Sequence, residues 1–505
     1  MCALIARLFI VLVTSFILNR LPAAAPVEDK MFWYNKGKDQ LKQNKNLHNV
    51  KEFGDAENVI LFLGDGMGSS TVTAARLYQN TLQKKSLGDL FHFEEFPFTG
   101  RAKIYSVDHQ VSDSAASATA ILTGSKTRQG VIGFDCTIKD DSCDDKIYEK
   151  SRLSSIADWA IKSHKWVGLI TNTRITDNIP AALYAHIPNK DWVCNNIPPN
   201  MKKCFKDIPN QLIQTYPGKE IKIYLGGGRD VMGVSKSDYC KRDKDLVEAW
   251  KKSKKRMNSV YVSNTKELKN VNKKTTDFLL GLFSEGNMPY DLERDETPEG
   301  QPSLTEMTEK ALEILSRNKK GYLLLVVNGL INCAHNMNAV KLALAETIQL
   351  NEAVKFATEN TRRDKTLIIV SSDISQGLGV YGYAERETSL LGKAGQDPWP
   401  ILFYGVGPGA HNDTLCDTDP TSTRYRTSAF YFSKTSVHTA DDVNVYARGP
   451  GGRLLIGIYE QSYVAHVISY AAAISDHTCR LSPYHSSLLA YCCWHILSNF
   501  IIKCI

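Results

Sequence analysis

The sequence predicts an α/β protein with a mostly parallel central sheet and helices on both of its faces. Several apolar runs have the length of a buried strand, and each ends in a polar or glycine-rich turn. The runs are residues 58–63, "KWVGLITNTR", "KIYLGGGRD", "GYLLLVVNG" and "KTLIIVSSD". Segments with helical periodicity alternate with these runs. Strands that are apolar on both faces and alternate with helices are typical of a parallel sheet that is covered on both sides.

Polar residues follow the predicted strands at their carboxyl ends, where α/β folds place functional side chains. Asp65, Arg174, Asn332 and Asp373 all fall at or just beyond these ends. The glycine-rich stretch "LGGGRD" matches neither a dinucleotide-binding nor a Walker motif. We interpret it as a tight turn.

The composition indicates a globular protein with a large core. The chain has 505 residues, 43% of them hydrophobic and 23% charged, and a net charge of +7. This length allows one large domain or two fused ones. The one dense basic run, "KKSKKR" at 251–256, is better explained by a solvated helix face than by a nucleic-acid surface. We therefore expect no nucleic-acid partner.

Both ends of the chain carry targeting patterns. Residues 1–25 combine an arginine, an apolar stretch and small residues, which is the pattern of a secretory signal peptide. A retained anchor is disfavoured because the apolar run from Leu8 to Leu18 is too short to span a bilayer. Residues 486–505 resemble the attachment signal of a GPI lipid anchor, with an amphipathic terminal segment as the alternative. We expect a GPI-anchored cell-surface protein, secreted if the anchor signal is not used.

The cysteine content fits an oxidising compartment. Four of the 12 cysteines lie in the two terminal segments: Cys2, Cys492, Cys493 and Cys504. The remaining eight are an even number, as disulfide-bonded secreted proteins require. Four are close in sequence and can form two bridges in a pairing that spacing does not fix: Cys136, Cys143, Cys194 and Cys204. Asn412 lies in the sole N-glycosylation sequon, which predicts a glycoprotein.

Ser114 is a candidate nucleophile. It stands at the start of a run of small residues, Ala115 through Ala120, that is expected to be helical. A serine at a helix N-terminus lies in a positive dipole field with backbone N–H groups near it, which suits a hydroxyl that becomes phosphorylated. An ordinary N-cap serine gives the same local pattern. The segment alone therefore leaves both interpretations open.

Several segments together resemble one known family. In chain order they are "LGDGMG", "SDSAASATAILTGSKTRQGVIG", "YLGGGRD", "AETIQLNEAV", "YARGPGG" and "EQSYVAHVISYAA". This set resembles the alkaline phosphatases of animals from about Phe32 to Ala472. The resemblance implies a three-layer αβα sandwich over residues 26–485. It also implies a homodimer, usually membrane-anchored, that hydrolyses phosphate monoesters through a phosphoserine with two zinc ions and one magnesium ion.

The resemblance assigns the family's nucleophile to Ser114, which follows the expected Asp113. The zinc ion that activates the serine would be held by Asp65, Ser114, Asp373 and a histidine directly after that aspartate. Here "SSDISQ" stands in place of the family's Asp-His-Ser-His, so Ile374 occupies the ligand position. An isoleucine side chain cannot coordinate a metal.

The other metal sites of the family match less well. The second zinc ligands correspond to Asn332, Asn336 and His438, of which only the histidine is retained. The magnesium ligands beside the shared aspartate correspond to Val327, at a glutamate position, and Ile179, at a serine or threonine position. Neutral side chains do not balance the charge of closely spaced divalent ions.

Three neighbouring residues complete the comparison with the family. Lys190 stands where the family has the arginine that binds phosphate, and it retains the charge without the bidentate geometry. Asp177 falls at a nearby position, but with Val327 opposite it is not expected to replace the lost magnesium ligands. A shifted register puts Asn328 at the glutamate position and still supplies only an amide.

These substitutions predict at most one weakly held zinc ion and weak or absent phosphomonoesterase activity. We favour an impaired family member that acts as a cell-surface binding or receptor-like protein, as a homodimer or as a heterodimer with an active relative. An active phosphatase with low or altered metal dependence is the main alternative. A duplicate without a selected role is the third. The ligand is expected to be a phosphate monoester or none.

Overall fold

A computed structural model describes most of the chain. The described residues are 27–49, 55–139, 143–194, 196–234, 239–242, 244–386, 388–393, 399–411 and 419–475. The predicted signal peptide, the predicted anchor signal and Asn412 lie outside these ranges. No helix among the described residues is long and apolar enough to cross a membrane.

The described chain contains fifteen strands. In chain order, β1 to β15 are Asn58–Gly64, Phe98–Lys103, Trp166–Arg174, Ile223–Gly227, Ser259–Val262, Phe278–Leu282, Tyr322–Asn328, Thr366–Ser371, Ser375–Gln376, Leu378–Val380, Leu402–Gly407, Ala429–Phe432, His438–Thr439, Val443–Arg448 and Gly457–Glu460. Ten of them form one sheet in the order β15-β2-β14-β8-β1-β7-β3-β4-β6-β5.

Strand directions confirm the prediction of a mostly parallel sheet. All neighbours from β8 through β1, β7, β3, β4 and β6 to β5 pair in parallel. Only β14 runs against its two neighbours in this sheet. The central strands are buried on both faces, which explains why their sequences are continuously apolar.

Helices cover both faces of the sheet. The described α-helices are Lys30–Leu47, Ser69–Leu82, Ser114–Thr123, Asp145–Ser151, Ile156–Lys162, Asn178–Ala182, Ile208–Gln214, Leu246–Ser253, Thr265–Asn270, Leu304–Leu315, Leu330–Asn336, Val340–Glu359 and Tyr463–Ala471. Alternate residues of β1 belong to two different cores, with Leu61 in one and Phe62 in the other. The fold is therefore a three-layer αβα sandwich, as expected.

Two small sheets lie apart from the main one. One contains β10, β11 and β12, with β12 at its edge. The other pairs β9 with β13 and sets His438 opposite Gln376. The second sheet brings a residue from late in the chain to the end of β8, which matters for the site below.

Two disulfide bonds are present among the described residues. The four cysteines that are close in sequence do not form both bonds among themselves. Cys143 pairs with Cys204. Cys194 pairs instead with Cys240, which lies 46 residues further along the chain. Cys136 is unpaired within the described residues.

The "LGGGRD" stretch ends β4 and turns into a 3-10 helix, Arg229–Val231, through Gly228 at φ +109°.

Candidate functional site

Ser114 and Asp65 meet at the carboxyl end of β1. Ser114 is the first residue of its helix, and the N-cap is Asp113, whose carboxylate accepts a hydrogen bond from Ala116 N. The ordinary N-cap interpretation of Ser114 is therefore wrong. The Ser114 hydroxyl donates to Asp65 Oδ1 at 3.1 Å. Both side chains are buried.

Asp373 joins this pair from the end of β8. Its Oδ1 accepts a hydrogen bond from Gly66 N at 3.3 Å, and its Oδ2 accepts one from Ser117 Oγ at 3.3 Å. Gln461 Nε2 donates to the Asp373 carbonyl oxygen at 2.6 Å, which holds the backbone in place. The structure thus brings Ser114 together with Asp65 and Asp373, the two aspartates that were predicted to follow strands at one edge of the sheet.

The two carboxylates raise each other's cost of ionisation. Burial raises the pKa of Asp65 well above its usual value, and the charges of Asp373 and Asp177 raise it further. Burial also raises the pKa of Asp373, while the Ser114 hydrogen bond and His438 act in the opposite direction. Neither carboxylate forms an ion pair with a lysine or arginine of the described chain. Buried carboxylates in this situation favour a proton or a bound cation.

A group of three amides lies beside these carboxylates, and we call it the amide cluster: Asn332, Asn336 and Gln376. The Gln376 Nε2 group donates to Asn332 Oδ1 and, at 3.2 Å, to Asn336 Oδ1. Gly66 faces the cluster so closely that a β-carbon there would lie 2.9 Å from Gln376 Cγ. The cluster therefore satisfies two of its own acceptors without a metal ion. No role was predicted for Gln376 from sequence, although it follows Asp373 by only three residues.

His438 reaches the site through the pairing of β13 with β9. Its Nδ1 lies 3.0 Å from the carbonyl oxygen of Ser112. A carbonyl oxygen can only accept, so Nδ1 carries the proton of this hydrogen bond, and in the neutral ring Nε2 keeps its lone pair. This is the tautomer that metal-binding histidines commonly adopt.

The three apolar residues at proposed ligand positions are core residues. Val327 and Ile179 are 1% exposed, and Ile374 is fully buried. All three belong to the same hydrophobic core. Val327 lies in β7, in register with Leu63 on one side and Thr171 on the other. These side chains fill space that a ligand and its ion would need.

Lys190 lies on the wall of a neighbouring cavity of about 300 Å³ that Asp177, Arg174 and Tyr239 also line. Its ammonium group is 3.5 Å from Asp191 Oδ1. Its backbone N–H donates to the Gly130 carbonyl oxygen, and Gly130 N–H donates to Asp113 Oδ2. Lys190 is thus connected to the residue before Ser114 by two hydrogen bonds. Asp177 caps its own helix by accepting a hydrogen bond from Asn178 N.

Asn328 belongs to a separate buried network. Its Nδ2 donates to Glu346 Oε2 at 3.0 Å, and its Oδ1 accepts from Asn172 Nδ2 at 2.8 Å. Burial raises the pKa of Glu346 to about 7. His335 is also fully buried, between Thr71 Oγ1 and the Tyr404 hydroxyl, and burial lowers its pKa to about 3. Both residues have structural partners outside the Ser114 site.

These donors do not fit two zinc ions and a magnesium ion. Zinc sites use sulfur, imidazole or carboxylate ligands, whereas the amide cluster offers neutral oxygens that are already hydrogen-bonded. No group of three or more His, Cys, Asp or Glu residues within the described ranges is arranged to hold a metal ion. A single metal ion fits best at Asp65, Ser114 and Asp373, which supply two carboxylates and one hydroxyl.

Known proteins match this chain over most of its length. The family model described as alkaline phosphatase matches residues 56–474. Alkaline phosphatase 4 of Drosophila melanogaster is 37% identical over 497 residues, covering 88% of this chain and 82% of that protein. The membrane-bound alkaline phosphatase of Bombyx mori is 34% identical, covering 90% of this chain and 88% of that protein.

Solved structures share the fold at lower sequence identity. The alkaline phosphatase of the Antarctic bacterium TAB5 has a TM-score of 0.60 and 19% identity, and the match covers 83% of this chain and 99% of that one. The alkaline phosphatase of Thermus thermophilus has a TM-score of 0.62 and 22% identity, covering 83% and 92%. The family match, the insect relatives and the fold agree, so this chain belongs to the alkaline phosphatase family.

Proposed function

We propose that this chain is an alkaline phosphatase family protein whose hydrolysis of phosphate monoesters at Ser114 is weak or absent. The observation that carries the proposal is the chemistry at the ligand positions. Val327, Ile179 and Ile374 are buried apolar side chains, and Asn332 and Asn336 are bonded to Gln376. A protein that hydrolyses through metal ions would need charged or imidazole ligands at these positions.

The remaining residues give Ser114 little activation of their own. Its hydroxyl donates to Asp65, which orients the oxygen within the site. A serine hydroxyl is a weak nucleophile unless a base, a lowered pKa or a metal activates it. Burial and the charge of Asp373 raise the pKa of Asp65 and so favour its protonated form, and a protonated carboxyl cannot accept the serine proton. Lys190 retains a positive charge for a phosphate group but lacks the planar fork of an arginine.

We expect at most one weakly held zinc ion, at Asp65, Ser114 and Asp373. The hydroxyl and the two carboxylates make only three protein donors, one fewer than a closed tetrahedral site needs. We expect no magnesium site beside them, because Ile179 and Val327 contribute no oxygen ligand. Losing even supporting groups of a metal site typically costs about 10- to 100-fold in affinity or activity.

An active enzyme with low or altered metal dependence is the second candidate. The observation in its favour is His438, whose Nδ1 contact with Ser112 leaves Nε2 suited to ligate. The two candidates differ in turnover, so a kinetic assay separates them. A role in binding at the cell surface follows from the first candidate, with a phosphate monoester as the ligand or with none.

We further propose a GPI-anchored location at the plasma membrane, reached through the secretory pathway. The match to a membrane-bound insect relative supports this location. A homodimer, or a heterodimer with an active relative, is supported by the small sheet of β10, β11 and β12. Tyr381, Phe430 and Tyr431 are 48%, 61% and 74% exposed there. Exposed apolar patches of this kind commonly mark interfaces.

The test is an assay of a generic phosphomonoester with full-length secreted protein at alkaline pH, with added zinc and magnesium. A Ser114→Ala variant is the matched control, because it removes the nucleophile and leaves the fold intact. We expect the two proteins to hydrolyse the ester at indistinguishable, negligible rates. Robust turnover that disappears in the variant would contradict the proposal and favour the second candidate.

A further inference from the structure

Basic side chains line the amino ends of the parallel strands, at the opposite edge of the sheet from Ser114. Lys320, Lys165 and Lys222 come shortly before β7, β3 and β4. These three strands are direct neighbours in the sheet. In the register of the sheet Trp166 lies opposite Tyr322 and Gly168 lies opposite Ile223, so the three lysines follow one another along the edge at staggered heights.

Contacts connect these residues to each other. Lys165 Nζ donates to the Lys320 carbonyl oxygen at 2.9 Å. Lys222 Nζ lies 5.5 Å from the centroid of the Trp166 ring, and Arg317 Cζ lies 5.4 Å from it. Aromatic contact of this kind orders a long cationic side chain. Lys165, Lys222, Arg317 and Lys320 thus form one continuous surface.

The surface continues past β4 to β6. Lys222 Nζ lies 3.8 Å from the centroid of the Phe278 ring, and Lys254 Nζ lies 4.0 Å from it. Lys254 Nζ also donates to the Lys219 carbonyl oxygen at 2.6 Å. Lys254 comes from the dense run at 251–256 and is buried, so it adds charge beneath the surface. We call the six residues the basic row: Lys165, Lys219, Lys222, Lys254, Arg317 and Lys320.

Acidic residues neutralise only part of the basic row. Asp277 pairs with Arg317 at 2.9 Å and also interacts with Lys222. Glu220 interacts with Lys222 and Lys254, and Glu57 interacts with Lys165. Burial lowers the pKa of Lys165 and of Lys254. Glu57 and Glu220 act in the opposite direction, and neighbouring lysines lower both pKa values. Cations that depress one another's protonation gain from a bound anion. The row therefore carries an excess of positive charge close to ordered aromatic rings.

We propose that the basic row binds a linear polyanion, and specifically a sulfated polysaccharide. A row of cations that follows one edge of the sheet matches an extended chain better than a flat membrane. The disulfides Cys143–Cys204 and Cys194–Cys240 indicate an oxidising compartment, where sulfated polysaccharides are abundant polyanions. The proposal uses no residue of the Ser114 site and stands independently of the proposed function.

The test measures the affinity of the full-length protein for heparin, a sulfated polysaccharide, as a function of salt. The variant combines Lys219→Gln, Lys222→Gln and Lys320→Gln. The control combines Lys42→Gln, Lys355→Gln and Lys434→Gln, which removes the same charge from exposed positions elsewhere. For nucleic acids each lost contact lowers the slope of log affinity against log salt by roughly 0.7 to 0.9, and we expect a similar release of counterions from heparin. We expect a slope shallower by about two for the variant and nearly unchanged for the control.

Thermal unfolding of both triple variants checks that each one folds. Equal slopes for the variant and the control would overturn the proposal, because net charge would then explain the binding. Binding to single-stranded DNA that is as tight as binding to heparin at the same salt would overturn the polysaccharide assignment. Retention on phosphatidylserine vesicles without retention on heparin would overturn it in favour of a membrane.

Discussion

The Ser114 hydroxyl donates a hydrogen bond to the Asp65 carboxylate, with 3.1 Å between Oγ and Oδ1. The side chains around this pair explain why we propose an impaired family member. Ile374 packs in the core directly after Asp373, and Asn332 and Asn336 bind the Gln376 amide. The frame of the site is thus held by packing and by neutral hydrogen bonds.

Replacing Gln376 by alanine is expected to destabilise the protein. The substitution removes the two hydrogen bonds that Gln376 donates to the half-buried Asn332 and Asn336, and each such bond contributes about 0.5 to 1.5 kcal/mol. Denaturant unfolding measures the change in the free energy of unfolding. Gln214→Ala is the matched control, because Gln214 donates to Asn210 on the surface. We expect less than about 0.5 kcal/mol for the control. Equal losses in both variants would show that the amide cluster contributes nothing specific.

Removal of metal ions is expected to leave the unfolding temperature almost unchanged. An ion that binds only the folded state stabilises it according to its concentration relative to its dissociation constant, so a weak ion contributes little. Differential scanning calorimetry with and without EDTA measures the shift. A fall of about 5 °C or more on chelation would contradict this account, since it would require a tightly held structural ion.

Stability is expected to fall between about pH 4.5 and pH 7 because of Glu346. Burial raises its pKa to about 7 in the folded protein, so the unfolded chain loses this proton at a lower pH than the folded chain does. The folded state is then favoured at low pH, and the contribution disappears as the pH rises through 7. The free energy of unfolding is measured across this range, and we expect it to fall by on the order of 1 to 3 kcal/mol from the low to the high end.

The Glu346→Gln variant isolates this effect, because it removes the titrating proton and keeps the size of the side chain. Both carboxylate oxygens accept hydrogen bonds, Oε1 from Asp291 N and Oε2 from Asn172 and Asn328 Nδ2, so the glutamine NH2 group loses a partner, at a cost that does not vary with pH. The difference between the wild type and the variant is expected to change with pH across this window. Glu359→Gln, at an exposed position on the same helix, serves as the control and should show a constant difference. A constant difference for Glu346→Gln as well would contradict the prediction.

Part of the site could be predicted from sequence because its residues follow strands. The apolar runs located β1, β3, β7 and β8, and the strand-end rule then placed Asp65 and Asp373 together. The small-residue run identified the helix that begins at Ser114. These features depend on local patterns, and the structure confirms where they lie.

The remaining features depend on contacts between distant segments. No pattern in the neighbouring sequence identifies Gln376, because its role comes from hydrogen bonds to Asn332 and Asn336, which lie about 40 residues earlier in the chain. His438 reaches the site through a two-residue strand pairing. Cys194 pairs with Cys240 because their loops meet in three dimensions, although Cys204 is closer in sequence. The N-cap of the helix Ser114–Thr123 is Asp113 and not Ser114, because the Asp113 carboxylate accepts from Ala116 N while the Ser114 hydroxyl donates to Asp65.

Restoring one ligand is expected to increase zinc affinity. Ile374→His adds an imidazole directly after Asp373 and completes the family's donor set with Asp65 and Ser114. A fourth donor is expected to tighten zinc binding about tenfold or more. Isothermal titration calorimetry with zinc measures the change. Ile374→Asn controls for opening the core with a polar side chain and should not tighten binding. Equal zinc affinities for the two variants would argue against this donor assignment.

The zinc content of the secreted full-length protein tests the central claim most directly. The protein is purified from zinc-supplemented medium without chelators, and zinc per chain is measured by inductively coupled plasma mass spectrometry. Because only Asp65, Ser114 and Asp373 fit an ion together, we expect well below two zinc ions per chain, and at most one. Two tightly retained zinc ions per chain would contradict the account.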